Sequence, residues 1–154
     1  MSSVEKPFVL LVDDNEATCT LITAVLQREF TVEVAADGND AIEKLRTGHY
    51  AAILLDLLMP RTDGFAVLEW LKEHSPARLR NVLIVTAALR DKELSRAKAF
   101  DICGVITKPF DVDSLRDAVK QCVSGGDGSP IGSVLYSSGT VIILLADLLR
   151  QRLM

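Results

Sequence analysis

Side chains suited to phosphate and metal chemistry stand at the ends of four short apolar runs. Asp13 and Asp14 follow Leu10-Leu-Val, Asp56 follows Ala51-Ala-Ile-Leu-Leu, Thr86 closes Val82-Leu-Ile-Val, and Lys108 follows Val105-Ile-Thr. If these runs are strands of one parallel sheet, all four points share a rim, because ligands in such sheets gather at the carboxyl ends of the strands. Three carboxylates on one rim repel one another unless a cation sits between them. A hard divalent ion with oxygen ligands answers that need, and a site with few carboxylates, water and a phosphate suits Mg2+. Lys108 adds a point charge and Thr86 a hydroxyl for an oxyanion beside the metal. The set is that of a phosphoryl-transfer site, with Asp56 as the acceptor and Asp13 and Asp14 on the metal.

The elements that would position these residues are legible in the alternation of the chain. Apolar runs at 8–12, 31–35, 51–55, 82–86 and 105–107 alternate with helix-period segments at 16–29, 39–46, 64–73, 91–100 and 112–123. In the first helix Ala17, Leu21, Val25 and Arg28 follow a 3–4 spacing with Leu26 beside them. The run at 51–55 is apolar at every position, so both of its faces must be covered. Five runs alternating with five helices predict a doubly wound α/β fold, a five-stranded parallel sheet with helices on both sides. Asp37-Gly38 reads as a turn and Asp63-Gly64 as the opening of the third helix. Asp91 and Asp113 are expected as N-caps, and Asp101 as the stop of the fourth helix.

The chain has 154 residues and a formal net charge of −4. That length fits one domain, and the charge, without a basic stripe, argues against direct binding of nucleic acid. The start carries no secretory signal pattern. Cys19, Cys103 and Cys122 stand at unrelated spacings and read as reduced, buried thiols of a cytoplasmic protein. The expected organisation is a domain over 1–123, a flexible linker over 124–130 rich in Gly and Ser, and an apolar tail over 131–154. A helix over 140–153 would be apolar on nearly every side and so buried. Each Leu or Ile there is worth roughly 1.5–3 kcal/mol when buried. Self-packing, a homodimer seam or membrane contact would each cover it, although the polar residues of 131–149 make a poor membrane span.

The motifs resemble one family, the receiver domain of two-component response regulators, most of all the chemotaxis-regulator type. The matching residues are Leu10-Leu-Val-Asp-Asp, Leu54-Leu-Asp-Leu-Leu-Met-Pro followed by Asp63-Gly64, Val85-Thr-Ala, and Thr107-Lys-Pro-Phe. They run from residue 8 to about 123 in the family's order and distances. The resemblance implies a flavodoxin-like fold and a regulatory phosphoacceptor rather than an enzyme. Asp56 would take phosphate from a sensor histidine kinase or phosphotransfer protein. Asp14 would bind Mg2+ directly and Asp13 mainly through water, with the backbone carbonyl of Leu58 as a further ligand. Lys108 would pair with the acyl phosphate, Thr86 would swing in to bond it, and Lys108-Pro109 would be cis.

Three positions depart from the family pattern. Val105 stands where an aromatic switch residue is common, so the signal must leave by Thr86, loop movement or another surface. Leu58 and Ala88 border the path of the hydrolytic water and cannot hydrogen-bond it, which implies slow loss of phosphate. Two other functions compete: a constitutive dimerising adaptor acting through the tail, and a phosphatase of the haloacid-dehalogenase type. The latter needs a second Asp where this chain has Leu58. His49, His74, Trp70 and Met59 read as surface or packing residues, and Pro60 as shaping the loop after Asp56.

Overall fold

The computed structural model describes residues 5–59, 63–87 and 89–124, together with the backbone of two strands at 134–137 and 140–143. Elements alternate from the start: β1 (Phe8–Val12), α1 (Glu16–Leu26), β2 (Thr31–Ala35), α2 (Gly38–Thr47), β3 (Ala52–Leu55) and α3 (Gly64–His74). A 3-10 helix over Pro76–Asn81 leads to β4 (Val82–Thr86), α4 (Asp91–Lys98), β5 (Gly104–Thr107) and α5 (Val112–Ser124). The first five strands are parallel and lie in the order β2-β1-β3-β4-β5, which puts the reversal of strand order beside β1 and β3. The doubly wound fold expected from the alternation, and flavodoxin-like from the family resemblance, is therefore the observed one.

Alternation along each strand divides the core into two layers. Val9, Leu11, Leu54, Leu83, Val85 and Ile106 pack with Ile22 and Leu26 of α1 and Leu115 and Val119 of α5. Leu10, Val12, Ile53, Leu55, Ile84 and Val105 face the other way, toward α2, α3 and α4. β3 is buried at every position, as its unbroken apolar run requires.

Local differences from the sequence reading have physical causes. The buried face of α1 is Ile22 and Leu26, flanked by Cys19 and Val25, while Ala17 is exposed and Leu21 is 47% exposed. Two apolar stripes overlap in this helix, and only one can face the sheet. Asn15 caps α1 by accepting from the Thr18 amide at 2.9 Å. Asp111 rather than Asp113 caps α5, taking the Ser114 amide at 3.2 Å, while Asp113 pairs with Arg116. Asp91 is the first residue of α4 and not its cap. That helix closes at Ala99, short of Asp101, because its last turn tightens and carries Phe100 into the core. His49 and His74 are exposed, and His74 stacks on Trp70. The expectation of three reduced thiols fails for two of them, since Cys103 and Cys122 form a disulfide.

Beyond β5 the sheet continues with β6 (Val134–Ser137), parallel to β5, and β7 (Thr140–Ile143), antiparallel to β6. The helix expected over 140–153 is thus a strand at its beginning. The β-branched run Thr140-Val-Ile-Ile after Ser138-Gly139 is a hairpin signal and outweighs the helical period of its apolar residues. The rest of that expectation, and the linker from 125 to 130, lies outside the described residues. Among the described residues no helix is long and apolar enough to cross a membrane.

Asp63 and Gly64 join the fold to the rim where Asp56 lies. Asp63 caps α3 by accepting from the Ala66 amide at 3.1 Å, and the Gly64 amide donates to the Leu57 carbonyl at 3.2 Å. A Cβ on Gly64 would come within 2.8 Å of the Leu57 Cα and closer still to the Asp56 carbonyl. Both are backbone atoms and cannot turn aside. Gly64→Ala should therefore lower stability by roughly 1–3 kcal/mol, the cost of overpacking, read as a lower urea midpoint.

Candidate functional site

Each strand that borders the switch point ends in one of the singled-out residues. The Asp13 amide donates to Ala35 of β2 at 3.1 Å, and the Asp56 amide donates to Val12 of β1 at 2.9 Å. The Lys108 amide donates to the Thr86 carbonyl at 2.7 Å, so β4 sets where Lys108 begins. Sheet register, and not loop chance, aligns these side chains.

The side chains converge. Carboxylate oxygens of Asp13, Asp14 and Asp56 lie within 4.8 Å of one another. Asp13 and Asp56 are 3% and 5% exposed, while Asp14 is open to solvent. Lys108 Nζ donates to Asp13 Oδ2 at 2.7 Å and to Asp56 Oδ2 at 3.3 Å. Asp56 Oδ1 accepts from Thr86 Oγ1 at 2.7 Å and from the Leu58 amide at 3.0 Å. Asp13 Oδ1 accepts from the Asn15 amide at 2.9 Å. All five side chains named from the sequence are therefore brought together. Leu58 contributes its amide to Asp56, and its side chain is 47% exposed at the rim. Met59 is buried, as expected of a packing residue, whereas Pro60 and Ala88 lie outside the described residues. Lys108-Pro109 is cis.

The electrostatics follow from burial and charge together. Burial pulls the Lys108 pKa down, but the Asp13 hydrogen bond and the charges of Asp56 and Asp13 outweigh it, and the net shift is upward. Lys108 thus stays an ammonium. Cys19, which the sequence reading left out of the site, donates its thiol to the Asp13 carbonyl at 3.4 Å. Burial, with Asp13 next, raises that thiol to about 11, so it stays protonated and offers no thiolate. The side-chain donors left for a cation are all carboxylate oxygens, which fits a hard divalent ion such as Mg2+.

The chain matches the family model for the response regulator receiver domain over residues 9–120. It belongs to that family. Receiver domains are regulatory phosphoacceptors that take a phosphoryl group from histidine kinases or phosphotransfer proteins and bind Mg2+ at an acidic pocket. The chemotaxis protein CheY of Halobacterium salinarum is 28% identical over 117 residues, which cover 75% of this chain and 96% of that protein. The probable methanogenesis regulatory protein FilR2 of Methanothrix harundinacea is 32% identical, covering 76% of this chain and 82% of that protein. Among solved structures, the response regulator CheY4 of Vibrio cholerae superposes with a TM-score of 0.69 at 26% identity, covering 76% of this chain and 98% of its own. The receiver domain of a sensor histidine kinase from Pseudomonas aeruginosa, which carries a magnesium ion in its active-site cleft, shares the fold with a TM-score of 0.70. It is 24% identical and covers 77% of this chain and 98% of its own.

The three carboxylates predict a linked effect of metal on stability. At Mg2+ about one hundred times its dissociation constant, unfolding free energy should rise by about 2.7 kcal/mol. Asp13→Asn and Asp14→Asn should each lose most of that gain in urea titrations with and without Mg2+.

Proposed function

We propose that this receiver domain accepts a phosphoryl group on Asp56, with a Mg2+ ion held by Asp13, Asp14, Asp56 and the backbone carbonyl of Leu58. The observation that carries the reading is the meeting of three strand-end carboxylates with Lys108 and Thr86 on Asp56 itself. When bound, Mg2+ offsets charge on the phosphoryl oxygens and on the acceptor carboxylate. Asp56 Oδ1 is held by two short donors, whereas Oδ2 has only the longer Lys108 contact. Oδ2 is therefore the freer oxygen to attack phosphorus. The new bond is Oδ2–P, and the bond that breaks joins phosphorus to a histidine nitrogen of the donor. As charge moves outward, the ammonium of Lys108 and the hydroxyl of Thr86 transfer from the carboxylate to the phosphoryl oxygens.

The donor in this reading is a sensor histidine kinase or phosphotransfer protein, and the compartment is the cytoplasm. The net charge of −4 supports a protein rather than a nucleic-acid partner. Val105 is buried and has no ring, so Thr86 is the residue through which occupancy of Asp56 is read on β4. Loss of phosphate is slow, because the Leu58 side chain at the rim and the Ala88 methyl cannot orient a water.

Incubation with acetyl phosphate and Mg2+ should add one phosphoryl mass to the parent and none to Asp56→Asn; an unchanged parent mass would refute the assignment. Leu58→Asn and Ala88→Glu should each release phosphate roughly tenfold faster, about 1.4 kcal/mol off the barrier. Rates at or below the parent's would show that water is positioned some other way.

A further inference from the structure

Cys103 and Cys122 lie at the end of the sheet opposite the acidic rim. Cys103 immediately precedes β5 and Cys122 is in the last turns of α5, with their Cα atoms 5.8 Å apart across a separation of 19 residues. Small chains use disulfides to make up for an incomplete core. This domain has two filled apolar layers, so the bond is not what makes the fold possible. The two residues are also unequally buried: Cys122 is 2% exposed, whereas Cys103 is half-buried. Other contacts already meet at this corner. Asn81 Nδ2 donates to the Ala51 carbonyl at 2.9 Å and to the Cys122 carbonyl at 3.3 Å, and the Cys103 amide donates to Val82 at 2.8 Å. Opening the bond would leave the corner assembled but looser.

We propose that Cys103 and Cys122 are a reversible redox pair that exchanges with low-molecular-weight thiols and disulfides, and whose closure clamps the carboxyl end of α5 to the start of β5. In the closing direction the Cys103 thiolate attacks a small disulfide, forming a mixed disulfide and releasing one small thiolate. The Cys122 thiolate then attacks the Cys103 sulfur and releases the second. The protein gives up two electrons and two protons, which leave with the small molecule as two thiols. In the reverse direction a small thiol attacks the sulfur of Cys103, the less buried of the two residues, and Cys122 leaves as a thiol. A second small thiol then attacks the mixed disulfide, frees the Cys103 thiol and departs in a small disulfide. The inference is independent of the role given to Asp56.

The test equilibrates the full chain in buffers of graded glutathione to glutathione-disulfide ratio, traps free thiols with iodoacetamide, and maps the peptides. The expected result is a sigmoidal change from two alkylated cysteines at 103 and 122 to one linked peptide, with Cys19 outside the link throughout. Amide exchange in the last two turns of α5 should be on the order of tenfold faster in the open form. In Cys122→Ser, Cys103 should take up one glutathione and hold it as a mixed disulfide. If that variant does not fold, Cys122→Ala serves for the same measurement. A pair that stays alkylated at every ratio, or stays linked at every ratio, would overturn the redox pair. Equal α5 exchange in the two forms would overturn the clamp.

Discussion

Three carboxylates held within 4.8 Å of one another are the constraint around which this domain is built. At an effective dielectric near 20, two unit charges at that distance repel by about 3 kcal/mol. Among the described residues one ammonium, that of Lys108, pairs with this cluster and reaches two of its three members. The remaining negative charge is met by fixed donors, the Leu58 and Asn15 amides and the Thr86 hydroxyl. Among the described residues the three carboxylates thus outnumber the cations that pair with them. That is the state in which a divalent cation and then a phosphoryl group have the most to gain from binding.

Such a cluster survives only on a stiff support. β1 and β3 are buried on both faces and lie side by side at the reversal of strand order. Asp13 and Asp56 therefore leave neighbouring strands at nearly the same height. α3 starts against the backbone of Asp56 and Leu57, and Gly64 is what lets it come so near. Helix and acceptor loop meet backbone to backbone, so a shift in one must move the other.

Much of this was legible in the chain. Asp13, Asp14, Asp56, Thr86 and Lys108 each sit where an apolar run stops, and period-two burial with parallel order carries them to one rim. The readings that failed were of a different kind. Ile22 and Leu21 lie on adjacent stripes of α1, and choosing between them needs the position of the sheet. The cap of α5 falls on Asp111 rather than Asp113 because neighbouring carboxylates look alike until the turn is drawn. The pairing of Cys103 with Cys122 is invisible in a spacing of 19, since it depends on α5 folding back along β5. Thr140–Ile143 is apolar enough for either period, and only pairing with β6 decides for a strand.

The ammonium that completes the rim comes late in the chain. Lys108 is 95 residues beyond Asp13 and 52 beyond Asp56. Contacts of such long sequence separation form slowly, since the loop between them must be closed first. During synthesis β1 and β3 can pair long before β5 exists, with their carboxylates uncompensated. Docking of β5 then relieves that repulsion as it extends the sheet, so electrostatics and hydrogen bonding favour the same step. The ion pairs of Lys108 with Asp13 and Asp56 consequently form only once the chain has folded through β5.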